Sequence, residues 1–288
     1  MKKFPVQLKA NIKTVAILGT GLIGGSIGLA LKAARKKYKV IGIGRRWSTL
    51  RLAKKIGAVD QITLSLEKGL KEADLVILAA PVGIILRQLK LIPLFVKPGA
   101  IVTDAGSTKA HIVRTAEKVL KGKAFFVGSH PMAGSEKTGV AAAKLDIFKN
   151  SMCLVTKTLG TNKQALQIVS NFWKQLGADI RVLSPSVHDL ITAGVSHLPH
   201  MVSVALCRTL TPGQIDYAAG GFKDTTRIAL SDAGLWADIC FSNSAQIQKS
   251  VRLFIKQLSS LEKYLKTGDK RKFIKFWEKA NQIRKKCG

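Results

Sequence analysis

The stretch Val15-Ala-Ile-Leu-Gly19-Thr-Gly21-Leu-Ile-Gly24 runs a short apolar strand into a G-x-G-x-x-G turn, and a helical pattern follows through about Lys36. Each glycine has a separate physical task. Gly19 turns the chain tightly, Gly21 lets the backbone approach a pyrophosphate, and Gly24 lets the helix pack close to the strand. The helix N-terminus adds unpaired N–H groups and a positive dipole end, both suited to an anion. Because the motif opens the first β-α-β unit, it reads as a dinucleotide site; the alternative is a glycine-rich turn that only packs.

Outward from this turn, short β-branched runs alternate with helical patterns, the signature of β-α-β units and a mostly parallel sheet. Strands are predicted at Thr14–Leu18, Val40–Ile43, Gln61–Leu64, Leu75–Ala79, Ala100–Thr103, Ala124–Val127, Met152–Thr156 and Ile180–Val182. Between the last two, Lys163–Leu176 carries an apolar stripe at helical spacing that stops at Gly177. After Ser184-Pro185 only helical patterns follow, including amphipathic ones over residues 245–286 with Ile247, Val251, Phe254, Ile255, Leu258, Leu261 and Leu265 on the apolar side. The expected fold is α/β: a Rossmann-type doubly wound parallel sheet over residues 1–184, then an all-helical domain over 185–288.

With 47 Lys and Arg against 17 Asp and Glu, the 288-residue chain has a formal charge of +30, yet 47% of it is hydrophobic. Apolar content this high excludes a disordered basic tail. The charge leaves open a nucleic-acid or anionic-membrane binder, an enzyme for small anions, or a lysine-rich background without local meaning. Lysines scattered along the whole chain and only 6% aromatic residues argue against nucleic acid. The 18 uncharged residues Thr14–Leu31 imitate a membrane span, but five glycines make them a poor anchor, and no other stretch of the sequence reads as one. Cys153, Cys207, Cys240 and Cys287 show no C-x-x-C pairing and read as free thiols in a reducing cytoplasm.

An NAD site calls for an Asp or Glu about 20 residues past the glycines, to hold the ribose 2′-hydroxyl. Here the sequence is Gly42-Ile-Gly-Arg45-Arg46-Trp-Ser48-Thr49. The acid is missing, and two guanidiniums with two hydroxyls stand in its place. Guanidinium donates bidentately to a phosphate that a carboxylate would repel, so NADP is expected over NAD.

Two further constellations end strands at the carboxyl edge, where open α/β sheets bind ligands. One is Asp104-Ala-Gly106-Ser107-Thr-Lys109; the other is His130-Pro-Met-Ala-Gly134-Ser-Glu136-Lys-Thr138-Gly139. An imidazole titrating near neutral pH beside small residues suits proton removal from a substrate. No H-E-x-x-H or other zinc-ligand spacing is present, so no metal is expected.

On these residues the chain resembles the prephenate/arogenate dehydrogenase family over residues 12 to about 245. The motifs that carry the resemblance are Gly19–Ser26, Asp104–Lys109, His130–Gly139 with Leu145 and Phe148, His188-Asp189, Ser196-His197-Leu-Pro199-His200, and Gly220-Gly-Phe-Lys-Asp224-Thr-Thr-Arg227. The resemblance implies oxidative decarboxylation of prephenate to 4-hydroxyphenylpyruvate, with arogenate the alternative substrate, in a cytoplasmic enzyme of tyrosine biosynthesis without nucleic-acid or membrane partners. By the same resemblance His130 takes the proton of the C4 hydroxyl, Ser107 helps orient it, and Arg227, His200, His197, Glu136 and Thr138 bind substrate. Cofactor contacts are implied at Gly19, Gly21, Leu22, Ile23, Gly24, Arg45, Arg46, Ser48, Thr49, Pro81 and Ser107. It also implies a homodimer formed through the helical halves; the amphipathic patterns over residues 245–286 are expected to leave no room for a separate chorismate mutase or ligand-sensing domain. A reductase of the β-hydroxyacid or imine type shares the cofactor turn but does not account for His130 and its motif.

Geometry qualifies the helical half. On one helix from Pro185 at 100° per residue, Asp189, Ala193, Ser196 and His200 share a face while His188 and His197 point to opposite sides. Pro199 should kink that helix and free the carbonyl of Val195. His200 is therefore expected to touch substrate, whereas His188 reads as structural. The Ser-His-Leu-Pro-His form resembles prephenate-using members, and Arg45-Arg46 resembles NADP-using ones, several of which prefer arogenate.

Overall fold

The computed structural model describes residue 8 and residues 11–34, 38–134 and 137–286. The strands are β1 (Thr14–Leu18), β2 (Lys39–Ile43), β3 (Gln61–Thr63), β4 (Leu75–Leu78), β5 (Ile101–Asp104), β6 (Phe125–Val127), β7 (Ser129–Pro131), β8 (Met152–Thr156) and β9 (Asp179–Leu183). The helices between them are α1 (Leu22–Ala33), α2 (Trp47–Lys55), α3 (Leu66–Leu70), α4 (Val82–Leu91), α5 (Ala110–Leu120) and α6 (Lys163–Gln175). Helices alone follow β9 among the described residues: α7 (Pro185–Thr192), α8 (Leu198–Thr209), α9 (Pro212–Ile215), α10 (Gly220–Thr226), α11 (Ala233–Ser242), α12 (Ser244–Thr267) and α13 (Lys270–Lys285).

Six parallel strands pair in the order β3-β2-β1-β4-β5-β6, a doubly wound arrangement with the reversal of strand order between β1 and β4. Residues on successive positions of β1 enter different cores: Val15 and Ile17 join one with α1 and α6, Ala16 and Leu18 another with α4 and α5. Burial on both faces explains the unbroken apolar runs that made these strands legible.

The strands predicted at 152–156 and 180–182 lie outside this parallel sheet. β8 and β9 leave the main sheet and form a second, three-stranded one with β7. β7 pairs antiparallel to β8, placing His130 opposite Leu154 and Pro131 opposite Cys153. Its proline hid it from periodicity, and an edge strand is where a sheet tolerates one.

Two compact units divide the chain, Met1–Asn243 and Ser244–Gly288. The expected boundary at 184/185 lies inside the first, at the start of α7. The second is a hairpin of α12 and α13 that turns at Gly268 (φ 65°), with the Asp269 carboxylate accepting the Lys272 N–H at 2.9 Å to start α13.

Thr14–Leu31, the stretch that imitated a span, is divided between β1, the glycine turn and α1. The sequence reading passed over another stretch. Among the described residues the helical run Pro185–Thr209 is long and apolar enough to cross a membrane by length and composition, and it carries the buried His188, Asp189 and His197. Cys153, Cys207 and Cys240 are free thiols, and Cys287 lies outside the described residues.

Candidate active site

The glycine turn follows from steric necessity. Gly19 adopts φ +98°, and a Cβ there would sit 2.3 Å from the Ala79 carbonyl oxygen; a Cβ on Gly24 would lie 1.9 Å from the Gly19 carbonyl oxygen. A Cβ on Gly21 would meet no heavy atom within 4 Å, so the backbone there faces open space. Beside it the hydroxyl of buried Thr20 has no hydrogen-bond partner among the described residues.

This turn floors a cavity of about 1040 Å³ at the carboxyl ends of β1, β2 and β4. Its wall includes Arg45, Arg46, Ser48, Thr49, Pro81, Arg87 and Gln88, with Gly139, Val140 and Ala141 from the segment after the His130 motif. Arg46 precedes the first turn of α2, which has no acidic residue and no side-chain cap. Its free N–H groups and the two guanidiniums form one electropositive corner. An open Gly21, an unpartnered Thr20 hydroxyl and a basic corner fit a dinucleotide with its pyrophosphate on the turn.

A second cluster is built on the loop after β5, on β7 and on α7. His130 and His188 are buried, and His130 Nδ1 lies 2.9 Å from His188 Nε2. On its far side His188 Nδ1 is 2.8 Å from Asp189 Oδ1. Asp189 in turn accepts the backbone N–H groups of Lys109 at 2.7 Å and Ala110 at 2.9 Å. Beneath lies a fully buried ion pair between the Lys109 ammonium and the Asp104 carboxylate, whose oxygens also accept the N–H groups of Gly106 at 2.9 Å and Ser129 at 3.2 Å. Trp173 donates its indole N–H to Ser129 Oγ at 2.9 Å, fixing the residue before His130.

Burial, reinforced by the nearby His188 and Lys109, pushes the pKa of His130 well below the usual imidazole value of 6.5, so the ring is neutral at pH 7. Burial also lowers His188, against the opposing pull of its Asp189 contact. Desolvation would raise Asp189, but the hydrogen bonds from His188, Ala110 and Lys109 outweigh it and hold the carboxylate ionised. Burial and then the neighbouring His188 lower His197 to about 4, the Ser107 backbone offsetting part of the shift.

A third group surrounds His200. Its Nδ1 donates to the Ser196 carbonyl at 2.9 Å, and its ring stacks on Trp236 with centroids 3.7 Å apart. Arg227 is near enough for its charge to add to the burial that depresses His200.

Comparison with known proteins decides the family. A profile for the prephenate dehydrogenase nucleotide-binding domain matches residues 27–182, and one for the prephenate dehydrogenase dimerization domain matches 184–279. The chain belongs to the prephenate dehydrogenase family. It is 37% identical to the prephenate dehydrogenase of Bacillus subtilis over 278 residues, covering 94% of this chain and 75% of that one. The structure of prephenate dehydrogenase from A. aeolicus in complex with hydroxyphenyl propionate and NAD+ superposes with a TM-score of 0.91 at 32% identity, covering 96% of this chain and 99% of that one. Synechocystis arogenate dehydrogenase matches with a TM-score of 0.82 at 29% identity, covering 96% of this chain and all of the other, 100%.

As a prephenate dehydrogenase family member the chain is a dehydrogenase with a nucleotide-binding domain. Of the cofactor residues expected from sequence, the cavity wall gathers Gly19, Gly21, Arg45, Arg46, Ser48, Thr49 and Pro81. Leu22, Ile23, Gly24 and Ser107 are not part of it: Ile23 packs against the core and Gly24 lies under the turn. Of the substrate residues, His200 and Arg227 come together, and His197 lies buried with its Nδ1 3.3 Å from Asn243 Nδ2. Thr138 is exposed on the loop after β7, and Glu136 lies outside the described residues.

His188, expected to be structural, is in contact with His130. The ideal-helix projection failed because Ala193–His197 is a π-turn that winds fewer degrees per residue and rotates His197 toward the His188 side. The irregularity expected from Pro199 at the Val195 carbonyl falls inside this turn. Trp236 and Asn243 were missed, since neither lies in a motif and only packing brings them in. No group of three or more metal-ligating side chains occurs among the described residues.

Proposed function

We propose that this protein catalyses the NAD(P)-dependent oxidative decarboxylation of prephenate to 4-hydroxyphenylpyruvate in the cytoplasm, as a homodimer, with NADP the preferred cofactor. The bound nicotinamide supplies the hydride acceptor. The observation that carries the proposal is His130: a buried, neutral imidazole just past the carboxyl end of β6, on the chain segment that continues into the cavity wall.

In this reading His130 accepts the C4 hydroxyl proton as the C4 hydride leaves. The electron pair of the ring–carboxylate bond then enters the ring, CO₂ departs, and the resulting phenolate takes the proton back. Aromatisation drives the reaction, so the protein's tasks are alignment and proton handling. His200 and Arg227 bind the dianion, Arg227 as a bidentate donor to a carboxylate, with His197, Glu136 and Thr138 as further contacts. Ser107 stands beside the reacting hydroxyl. Its own hydroxyl shows no hydrogen bond to His130, so any aid to that ring passes through substrate.

In this reading the functional division falls at 184/185, supported by one family profile ending at residue 182 and the other beginning at 184. Exposed apolar side chains on the Pro185–Thr209 run, among them Leu190, Val195 and Val204, support dimerisation through the helical part. Neither nucleic acid nor a membrane is a partner in this reading.

The test follows absorbance at 340 nm with prephenate and NADP, for wild type and His130→Asn. Loss of turnover by about 10²-fold or more in the variant supports the reading. Wild-type inactivity with prephenate and arogenate alike overturns it, and a several-hundred-fold preference for arogenate replaces the substrate.

A further inference from the structure

We infer that His188 and Asp189 are positioning residues that hold His130 in the tautomer with Nδ1 protonated and Nε2 open to substrate. The inference rests on the reading of His130 as the proton acceptor and adds to it the reason why that ring nitrogen is available.

Asp189 Oδ1 receives the Lys109 N–H and Oδ2 the Ala110 N–H, both backbone groups that can only donate. A proton on either oxygen would compete with one of them, so the carboxylate is an acceptor throughout. His188 Nδ1, 2.8 Å from Oδ1, must then be the donor. His188 is fully buried beside the cationic Lys109, an environment that keeps its ring neutral. A neutral ring with a proton on Nδ1 has only a lone pair on Nε2. That lone pair faces His130 Nδ1 at 2.9 Å, so His130 must donate from Nδ1. The remaining nitrogen of His130, Nε2, is unprotonated and makes no hydrogen bond to a described residue.

The chain has a second use once His130 takes a proton on Nε2. The imidazolium keeps its Nδ1–H directed at His188 Nε2, and the Asp189 charge lies one ring beyond. No other described residue offers His130 an acceptor at Nδ1. The arrangement differs from a Ser-His-Asp triad in placing a neutral ring between carboxylate and base.

The direct test is a two-bond ¹H–¹⁵N correlation spectrum of the full chain labelled with ¹⁵N-histidine. There are five histidines, and His130 is assigned by its loss in His130→Asn. A protonated Nδ1 and an unprotonated Nε2 on His130 at pH 7 are expected; the opposite tautomer overturns the inference, and this measurement needs no turnover. The kinetic test compares His188→Leu with His188→Gln, whose amide oxygen can accept the His130 Nδ1–H. The Leu variant should lose about 10²-fold or more in kcat with KM for prephenate changed less than about threefold, and Gln should recover at least about tenfold of it. A folded Leu variant with wild-type kcat, or a Gln variant no better than Leu, overturns the inference. If neither folds, the wild-type spectrum decides. A fully active His130→Asn overturns the reading of His130 as base and this inference with it. An inactive His130→Asn beside a fully active His188→Leu overturns this inference alone.

Discussion

The Asp189 carboxylate caps helix α5 from 80 positions further along the chain, accepting the Lys109 N–H at 2.7 Å and the Ala110 N–H at 2.9 Å. Lys109 itself offers the helix no side-chain cap, so the orphan N–H groups of its first turn depend on a residue of α7. Negative charge there also opposes the helix dipole. One carboxylate therefore ties α7 to the loop that carries Ser107.

Asp189→Ala should for that reason destabilise the protein by about 3–5 kcal/mol, since it strands the buried Lys109 N–H, the part-buried Ala110 N–H and the His188 donor together. Urea unfolding reads this as a lower midpoint at unchanged slope. A loss under about 1 kcal/mol would show that water replaces the carboxylate, and that the cap is incidental.

The Lys109–Asp104 pair makes a different demand. Both side chains are fully buried, and Lys109→Met keeps the stem's volume while removing the charge that balances Asp104. Breaking one side of a buried pair costs about 3–5 kcal/mol because an uncompensated charge remains. Thermal unfolding should show a clear drop in Tm. An unchanged Tm would mean that the Gly106 and Ser129 N–H groups suffice to hold the carboxylate.

Acidification should unfold the protein earlier than surface titration alone would. His197 ionises at about 4 when folded but near 6.5 when unfolded. Between those values the unfolded chain binds more protons, so stability rises with pH through the window and falls as pH drops through it. At about 1.4 kcal/mol per unit, His197 alone accounts for roughly 3 kcal/mol lost by pH 4. His130 and His188, also depressed, act in the same direction. Asp189 adds its loss only below the usual carboxylate value of 3.8. Urea midpoints at pH 7, 5.5 and 4.5 check this; equal midpoints would refute buried neutral histidines.

Legibility followed the kind of signal each residue carries. β1 and β4 announced themselves because both faces are buried, and the turn because Gly19 and Gly24 admit no side chain. Arg45 and Arg46 drew notice as an acid missing where one was due, and both stand in the cavity wall. β7 was not, since three residues ending in proline leave no period to read. The placement of His197 relative to His188 was not legible because a regular helix was assumed, and a π-turn obeys no residue spacing that sequence displays. Trp236 reaches His200 by tertiary packing alone.

The cofactor corner bears on the chain's excess of 30 positive charges. Arg45 and Arg46 are exposed at the mouth of the cavity, next to an α2 N-terminus with no acidic residue in its first turn. If this corner reads a 2′-phosphate, replacing both arginines by alanine removes charge-assisted hydrogen bonds worth about 1.5–3 kcal/mol each when made to a charged group. KM for NADP should then rise by at least about tenfold, while KM for NAD, which presents only a hydroxyl there, changes less than about threefold. If general attraction between a basic protein and an anionic cofactor were the cause, both KM values would rise together and the effect would fade in salt. Measuring the two cofactors at 50 and 300 mM salt separates these outcomes, and equal changes for NAD and NADP would reject Arg45 and Arg46 as the discriminating pair.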